Sequence, residues 1–447
     1  MLRLQKRELM RNVVSRRTAL QTFATAISTA ITTLSLASAA DEASATKESN
    51  LPVTGMANPD LVPFDNLMTE FLQQHDVPGG AIAVTRNSQL IYARGFGWAE
   101  KETQRPVQPD SLFRLASISK PLTAVAVMQI VQQGKFGLDD RVFDVLPAKD
   151  WLPEKHDERL RAITIKHLLQ HSGGWDREKS FDPIGRVRRI AKFVGKPLPA
   201  TPADVIRYTL SLQLDFDPGT RYAYYNVDYL ILGRLIEHAT GENYESYVKQ
   251  HVLAPVGITR MQLGRAWKGD LAQGEVCYYD AEKQEHKAIN GSKLGELVPQ
   301  VYGAENMEAY EAHGGWIGSA IDLTRFAAAF DKPDASPLLS AQSIQTMWSR
   351  PEGGPGFDSE GKPKDLYYGC GWSVRPVGKE GRANTFHSGL ISGTSTLLVR
   401  RHDGLTWAVL FNTDHDQKDK TLSSLIDPLL HEAAGAVKRW PDKAVSV

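Results

Sequence analysis

The sequence predicts an α/β fold of the α+β kind, in which strands from the two ends of the chain make one antiparallel sheet, flanked by terminal helices and interrupted by an inserted all-helical lobe. Three observations carry this. Strand-like apolar runs gather near residues 80–100 and again near 367–414, helical periodicity dominates from about 120 to 350, and one amphipathic helical run lies outside the strands at each end.

In chain order, the first forty residues read as an export signal. Arg3, Lys6, Arg7, Arg11, Arg16 and Arg17 precede an uncharged stretch from Thr18 to Ala40 that closes on Ala37-Ser38-Ala39. SRRTALQ resembles a twin-arginine signal, with Ala19 where Phe is more usual, and Thr and Ser dilute the apolar stretch. The expectation is a periplasmic or secreted protein with no stable membrane span after cleavage. Residues 41–58 are small and polar and read as a flexible linker, 59–437 as a single domain, and 438–447 as a tail.

Within the domain, LVPFDNLMTEFLQQH predicts a helix that leads into a hairpin of GAIAVTR and SQLIYARGFGWAE. Helical patterns follow in ITIKHLLQHSGG, TPADVIRYTLSLQ, NVDYLILGRLIEHATG, SAIDLTRFAAAF and SAQSIQTMWS. Strands return in YYGCGWSVRP, NTFHSGLI, TSTLLVRRHDG and LTWAVLFNTD, and KTLSSLIDPLLHEAAGAV predicts the closing helix. A cleft between sheet and lobe is the natural place for a site, with residues 175–200 and 265–312 as its expected walls.

Composition excludes several functions. Removing the signal takes six basic residues and one acidic residue from 52 of each, so the remaining chain is mildly acidic. No Lys/Arg-rich run survives, and nucleic-acid binding has no electrostatic footprint. Cys277 and Cys370 cannot form a disulfide framework or a zinc site alone; one bridge and two buried thiols both fit. HExxH and GxSxG are absent, which removes the zinc peptidase motif and the α/β-hydrolase elbow.

The strongest chemical signal is Ser117-Ile118-Ser119-Lys120 in FRLASISKPLTAVAVMQIVQQG. On a helix, positions i and i+3 share a face, so the Lys120 amine can reach the Ser117 hydroxyl as its base. Pro121 belongs in a first helical turn, so the helix should start close to Ser117, at the positive end of its dipole. SxxK also occurs at Ser44, Ser246 and Ser359. The first lies in a tail, the third in a Gly/Pro-rich loop, and the second reads as a polar helical face; only the Ser117 copy opens a long apolar helix.

An acyl-transfer site also needs a second proton-transfer group and donors for the oxyanion. Tyr224-Tyr225-Asn226, the one YxN in the chain, and His387-Ser388-Gly389, which leads into a strand, follow Ser117 in that order. Singly, Tyr224 reads as a boundary tyrosine, Asn226 as a helix cap and His387 as a core histidine. Together, the three motifs resemble the serine β-lactamase and penicillin-recognising DD-peptidase superfamily, in its class C β-lactamase-like branch. VPGGAIAV, KHLLQHSGG, PGTRYAYYNVDYLILGRLIE, GGWIGSAIDLTRFA and YYGCGW extend the resemblance over roughly 60–435. His171-Ser172-Gly173 and His313-Gly314-Gly315 also fit HxG but match turn segments of that family.

The resemblance implies Ser117 as nucleophile, Lys120 as its activating partner and Tyr224 as the second acid/base group. It implies Asn226, His387, Ser388 and Gly389 as substrate-binding residues, with the backbone N–H groups of Ser117 and Leu390 as the oxyanion hole. Free Tyr has a pKa of about 10, so Tyr224 is expected to be shifted down or to share protons with Lys120. His387 stands where class C β-lactamases carry Lys, which weakens the case for strong β-lactamase activity. The function implied is an exported serine hydrolase, carboxylesterase or DD-peptidase-like, that acylates Ser117 with an ester, amide or D-amino-acid peptide. It needs no cofactor, and its partner is a small-molecule or peptide substrate. A class C-like β-lactamase and a penicillin-binding sensor without efficient turnover are the alternatives. Nothing in the sequence bears on oligomeric state.

Overall fold

Period-2 alternation splits the apolar residues of each central strand between two cores, and the sheet follows from that division. The computed structural model describes residues 51–378 and 381–445. The export signal expected over 1–40 lies outside the described residues. The strands used below are β1 (Val53–Thr54), β2 (Gly79–Arg86), β3 (Gln89–Glu100), β4 (Tyr367–Tyr368), β5 (Ser373–Pro376), β6 (Ala383–Ile391), β7 (Thr394–Arg400) and β8 (Leu405–Phe411). They lie in the order β1-β3-β2-β8-β7-β6-β5-β4, with every listed neighbour antiparallel and with Arg105–Pro106 pairing β3 as a short addition. N- and C-terminal strands therefore meet at the β2–β8 pair, where Ala83 faces Ala408.

The helices are α1 (Val62–Gln74), α2 (Ser119–Gln132), α3 (Ile165–Leu169), α4 (Val187–Val194), α5 (Pro202–Leu210), α6 (Asn226–Thr240), α7 (Ala320–Ala328), α8 (Ala341–Trp348) and α9 (Leu422–Ala436). On one face of the sheet, Ile82, Val84, Trp407, Val409 and Phe411 pack with Phe64, Met68 and Phe71 of α1 and Leu422, Ile426 and Leu430 of α9. On the other, Ala81, Ala83, Ala408 and Leu410 join the large core of the helical lobe. Small alanines on that face leave room for α7 to lie close against β2 and β8. Helix α2 is buried on nearly every side, which makes it the central rod of the lobe rather than an amphipathic surface helix.

Four sequence expectations change in detail. YYGCGWSVRP is two strands: the Gly369 N–H donates to the Trp372 carbonyl across a tight turn, and Gly371 takes φ +81° where a Cβ would overlap that of Ala124. ITIKHLLQHSGG is helical over Ile165–Leu169 alone, since the chain turns sharply through His171, at φ +52°, and Gly174. The expected linker over 41–58 is not free to its end, because Val53–Thr54 pairs with Phe96 and Gly95. The described part of the expected tail is tied down as well, with Trp440 in the terminal-helix core and the Val445 N–H donating to the Leu90 carbonyl. Cys277 and Cys370 are buried free thiols. Among the described residues no helix is long and apolar enough to cross a membrane.

Candidate active site

Ser117 sits on a strained turn between a strand and α2. Phe113–Arg114 pairs with Trp316–Gly318, and the Leu115 N–H donates to the Trp316 carbonyl. Ala116, fully buried, then takes φ +50°, a left-handed conformation that a residue with a Cβ adopts only when its surroundings hold it there. A single 3₁₀ turn, Ala116–Ile118, carries the serine, and the α-helix proper starts at Ser119, with Pro121 in its first turn as expected. Ser117 faces the cleft while Ala116, Ile118 and Ser119 are buried.

Lys120 is fully buried and its Nζ has three neighbours: Ser117 Oγ at 3.0 Å, Asn226 Oδ1 at 2.8 Å and the His313 carbonyl at 2.8 Å. The amide and carbonyl oxygens can only accept, so they take two of its N–H groups. The third position faces a hydroxyl that can donate. Burial pushes the Lys120 pKa well below its usual value, and the Arg177 charge adds to this against Asp182 and Asp228. Burial thus favours the neutral form of Lys120, an amine with a lone pair to spare beside Ser117 Oγ.

The Tyr224 hydroxyl donates to Ser117 Oγ at 2.8 Å, so the serine oxygen lies between the phenol and the Lys120 amine. The expected downward shift of Tyr224 does not occur. Burial pushes its pKa up, and the hydrogen bond to Ser117 only partly offsets this, so the protonated phenol is the favoured form. Lys120 Nζ lies 4.8 Å from the centre of its ring.

Tyr224 is held by the turn before α6. His171, fully buried, lies with its ring 4.3 Å from the Tyr224 ring, and its carbonyl accepts from the Ala223 N–H. Its Nδ1 is 2.9 Å from Asp228 Oδ2, in the first turn of α6. Burial drives His171 down and Asp228 up, favouring the uncharged form of each. Asn226 is the first residue of α6 rather than its cap, and its side chain links Lys120 to Asp182 through Nδ2–H donated to Asp182 Oδ2 at 2.8 Å.

The third motif lies where β6 outruns β5. Pairing with β5 ends at Phe386, so the outer edge of β6 from His387 to Ile391 is open toward the cleft. Gly389 packs on Leu115 O and Ala116 Cβ, where any side chain would collide. Ser388 and Leu390 alternate with it and are exposed. The His387 side chain, expected among the substrate-binding groups, is turned inward and buried. Its Nδ1–H donates to the Ser388 carbonyl at 2.7 Å, its Nε2 accepts from the Tyr368 hydroxyl at 2.9 Å, and burial takes its pKa down to about 3. The imidazole is a neutral internal strut with no nitrogen left for a ligand.

The structure thus brings together Ser117, Lys120, Tyr224, Asn226 and the 387–390 edge, and it leaves the Ser246 and Ser359 copies of SxxK apart from them. Lys249 pairs with Glu245, and Lys362 with Glu360. The Ser44 copy lies outside the described residues. Both HxG segments set aside in the sequence abut the site, His171 beneath Tyr224 and His313 through its carbonyl. Sequence reasoning missed Tyr368, Asp182 and Arg177; for the last two the signal was their place in the 175–200 wall. Among the described residues no group of three or more His, Cys, Asp or Glu side chains is placed to hold a metal ion.

A family model described as Beta-lactamase matches residues 64–429. The chain belongs to the β-lactamase family. Its relatives include an esterase and penicillin-binding proteins. The chain is 29% identical over 275 residues to the probable fimbrial assembly protein FimD, serogroup H1, of Dichelobacter nodosus, covering 61% of this chain and 62% of that one. It therefore spans about three-fifths of that relative's length. Esterase EstB of Burkholderia gladioli is 27% identical over 377 residues, 79% of this chain and 90% of the esterase. The octameric penicillin-binding protein homologue from Pyrococcus abyssi superposes with a TM-score of 0.61 at 26% identity, over 83% of this chain and 78% of that one.

Proposed function

We propose that this β-lactamase-family chain is an exported serine hydrolase, carboxylesterase or DD-peptidase-like, that forms an acyl-enzyme at Ser117 on an ester, an amide or a D-amino-acid peptide. The observation that supports it best is the convergence of Lys120 Nζ at 3.0 Å and the Tyr224 hydroxyl at 2.8 Å on Ser117 Oγ. The Ser117 proton passes to the neutral Lys120 amine as Oγ attacks the substrate carbonyl carbon. Negative charge on the carbonyl oxygen is met by the N–H groups of Ser117 and Leu390, which Gly389 allows to approach. The adduct collapses as the leaving group takes the Tyr224 proton, which Lys120 then replaces. Water attacks the acyl carbon by the same route and frees Ser117. Asn226 keeps one amide N–H beyond its bond to Asp182, and this donor suits a substrate carbonyl. The buried, neutral His387 offers no cation to a β-lactam carboxylate, which counts against a β-lactamase.

The test is intact-mass labelling with an activated ester. Ser117→Ala should abolish the acyl adduct while the protein stays folded. Labelling at the wild-type rate would move the nucleophile elsewhere. Ser119, the nearest other hydroxyl in the motif, is fully buried with its Oγ accepting from the Trp316 N–H.

A further inference from the structure

Beneath Tyr224 lies an acid–imidazole pair that the proton route from Ser117 does not use. His171 and Asp228 are 0% and 1% exposed, and Nδ1 of the first is 2.9 Å from Oδ2 of the second. His171 meets the Tyr224 segment at three points. Its carbonyl accepts from the Ala223 N–H, its Nδ1 faces the Tyr225 N–H at 3.4 Å, and its ring lies 4.3 Å from the Tyr224 ring. The residues on both sides of the phenol are thus tied to one histidine. Asp228 reaches that histidine from the first turn of α6, so the pair also joins the 171–174 turn to the helix that carries Asn226.

The bonds of the pair fix where its proton lies. Asp228 Oδ1 is buried with no hydrogen-bond partner. A carboxylate needs partners on both oxygens when water is excluded, whereas an acid group leaves only a carbonyl oxygen unmet. With the Tyr225 N–H directed at Nδ1, that nitrogen is the acceptor of the ring, and the Asp228 carboxyl O–H is the donor it needs. The ring proton is then on Nε2, which has no acceptor either. Around the imidazole stand the rings of Tyr224, Tyr368, Tyr229 and Tyr222, at 4.3, 4.8, 5.1 and 6.2 Å. The hydroxyls of the first three are committed to Ser117, His387 and the Leu169 carbonyl. An N–H among ring faces is tolerated as a weak contact with their π electrons. Burial acts the same way on both groups, lowering His171 and raising Asp228. Gly173 leaves the carboxyl its place, since a Cβ there would stand 3.1 Å from Asp228 Oδ1.

We infer that His171 and Asp228 are positioning residues for Tyr224: an uncharged pair in which the Asp228 carboxyl donates to His171 Nδ1 and the ring so fixed holds the phenol oxygen on Ser117. The inference rests on the serine-hydrolase reading, because Tyr224 is the proton donor of that route. No hydrogen bond joins the imidazole to the Tyr224 hydroxyl, so the pair transfers no proton to it and acts through the place and tilt of the ring. A ring that tilts takes its hydroxyl off Ser117, and a misplacement of about 1 Å at a reacting centre costs about 100-fold in rate.

The experiment uses the full chain and two esters of phenylacetic acid: the p-nitrophenyl ester, whose leaving group departs as an anion, and the ethyl ester, whose alkoxide needs the Tyr224 proton. His171→Asn removes the ring and suits the left-handed backbone at φ +52°. It should lower kcat/KM about 100-fold for the ethyl ester and less than about tenfold for the p-nitrophenyl ester. In a Tyr224→Phe background the same substitution should change the ethyl-ester rate less than about threefold, because no hydroxyl remains to place. Losses that multiply in the double variant overturn the assignment and leave His171 as general packing. Asp228→Ala should act like His171→Asn, and Asp228→Asn, whose amide N–H can donate to Nδ1 in place of the carboxyl, should restore most of the loss. Asp228→Asn as damaging as Asp228→Ala overturns the uncharged pair. The infrared difference spectrum at neutral pH, wild type minus Asp228→Asn, is free of turnover and should hold the carbonyl band of a protonated carboxyl. Its absence overturns the pair even if His171→Asn fails to fold. Turnover of both esters by the wild type at the Ser117→Ala rate means that the serine-hydrolase reading has failed, and the assignment falls with it.

Discussion

Tyr224→Phe removes one oxygen and leaves the ring where it is, between His171 at 4.3 Å and Lys120 Nζ at 4.8 Å. The ground-state loss is therefore one hydrogen bond to Ser117 Oγ, about 1 kcal/mol. The kinetic loss is larger, because Tyr224 stays protonated and is the donor placed to protonate the leaving group. General acid contributions of this kind are worth about 100- to 10,000-fold, or roughly 3 to 5 kcal/mol of barrier. An activated ester, whose leaving group departs as an anion, needs that proton less than an amide does. Rapid-quench measurement of acylation should show the amide falling further than the ester, with the thermal midpoint little changed. If both rates stay within about threefold of the wild type, under about 1 kcal/mol, Tyr224 is only a packing tyrosine and the proton route is wrong.

Three further outcomes follow, two from named contacts and one from the sequence. His387 has a folded pKa of about 3 against 6.5 for the free side chain, so the unfolded chain takes up its proton first and stability is lost as pH falls from about 6.5 toward 3. His387→Gln should remove about 2 kcal/mol of the stability difference between pH 7.5 and pH 5 in urea titrations; curves parallel to the wild type would show that the imidazole is not buried neutral. Gly389→Ala should cut kcat/KM about 100-fold, the scale of a small misplacement at a reacting centre, since its Cβ would overlap Leu115 O and Thr396 Oγ1; ester turnover within threefold of normal would mean that the β6 edge does not border the reacting carbonyl. Replacing both Arg16 and Arg17 by Lys should hold the precursor in the cytoplasm, checked by cell fractionation, and unchanged export would refute the twin-arginine reading.

Much of the site is legible in sequence because its parts are local. Ser117 and Lys120 are three residues apart, and their spacing survives the change from the expected helix to a 3₁₀ turn followed by α2. Tyr224 and Asn226 sit where a helix begins, and His387 through Leu390 lie on one strand edge. The sheet is legible for the same reason: alternating runs such as 79–86 and 405–411 already divide into a small-residue face and a large-residue face. What the sequence misjudges are environments. The expected shift of Tyr224 reverses in sign because the fold takes the phenol largely out of solvent, and no spacing rule reports that.

The sequence by itself determined the chemistry available, a hydroxyl, an amine, a phenol and a carboxamide in a fixed order, together with the strand and helix periods that build the scaffold. Tertiary structure decided which state each group occupies. His387 becomes a neutral strut because Tyr368, nineteen residues earlier, closes its Nε2. Asn226 becomes a bridge because Asp182, 44 residues earlier, takes its Nδ2–H. Lys120 has its pKa lowered because folding buries its Nζ in a dry core, where it donates to the carbonyl of His313, 193 positions later in the chain. Protonation and orientation depend on solvent exclusion and on partners distant in the chain, and both come into being only when the chain has folded.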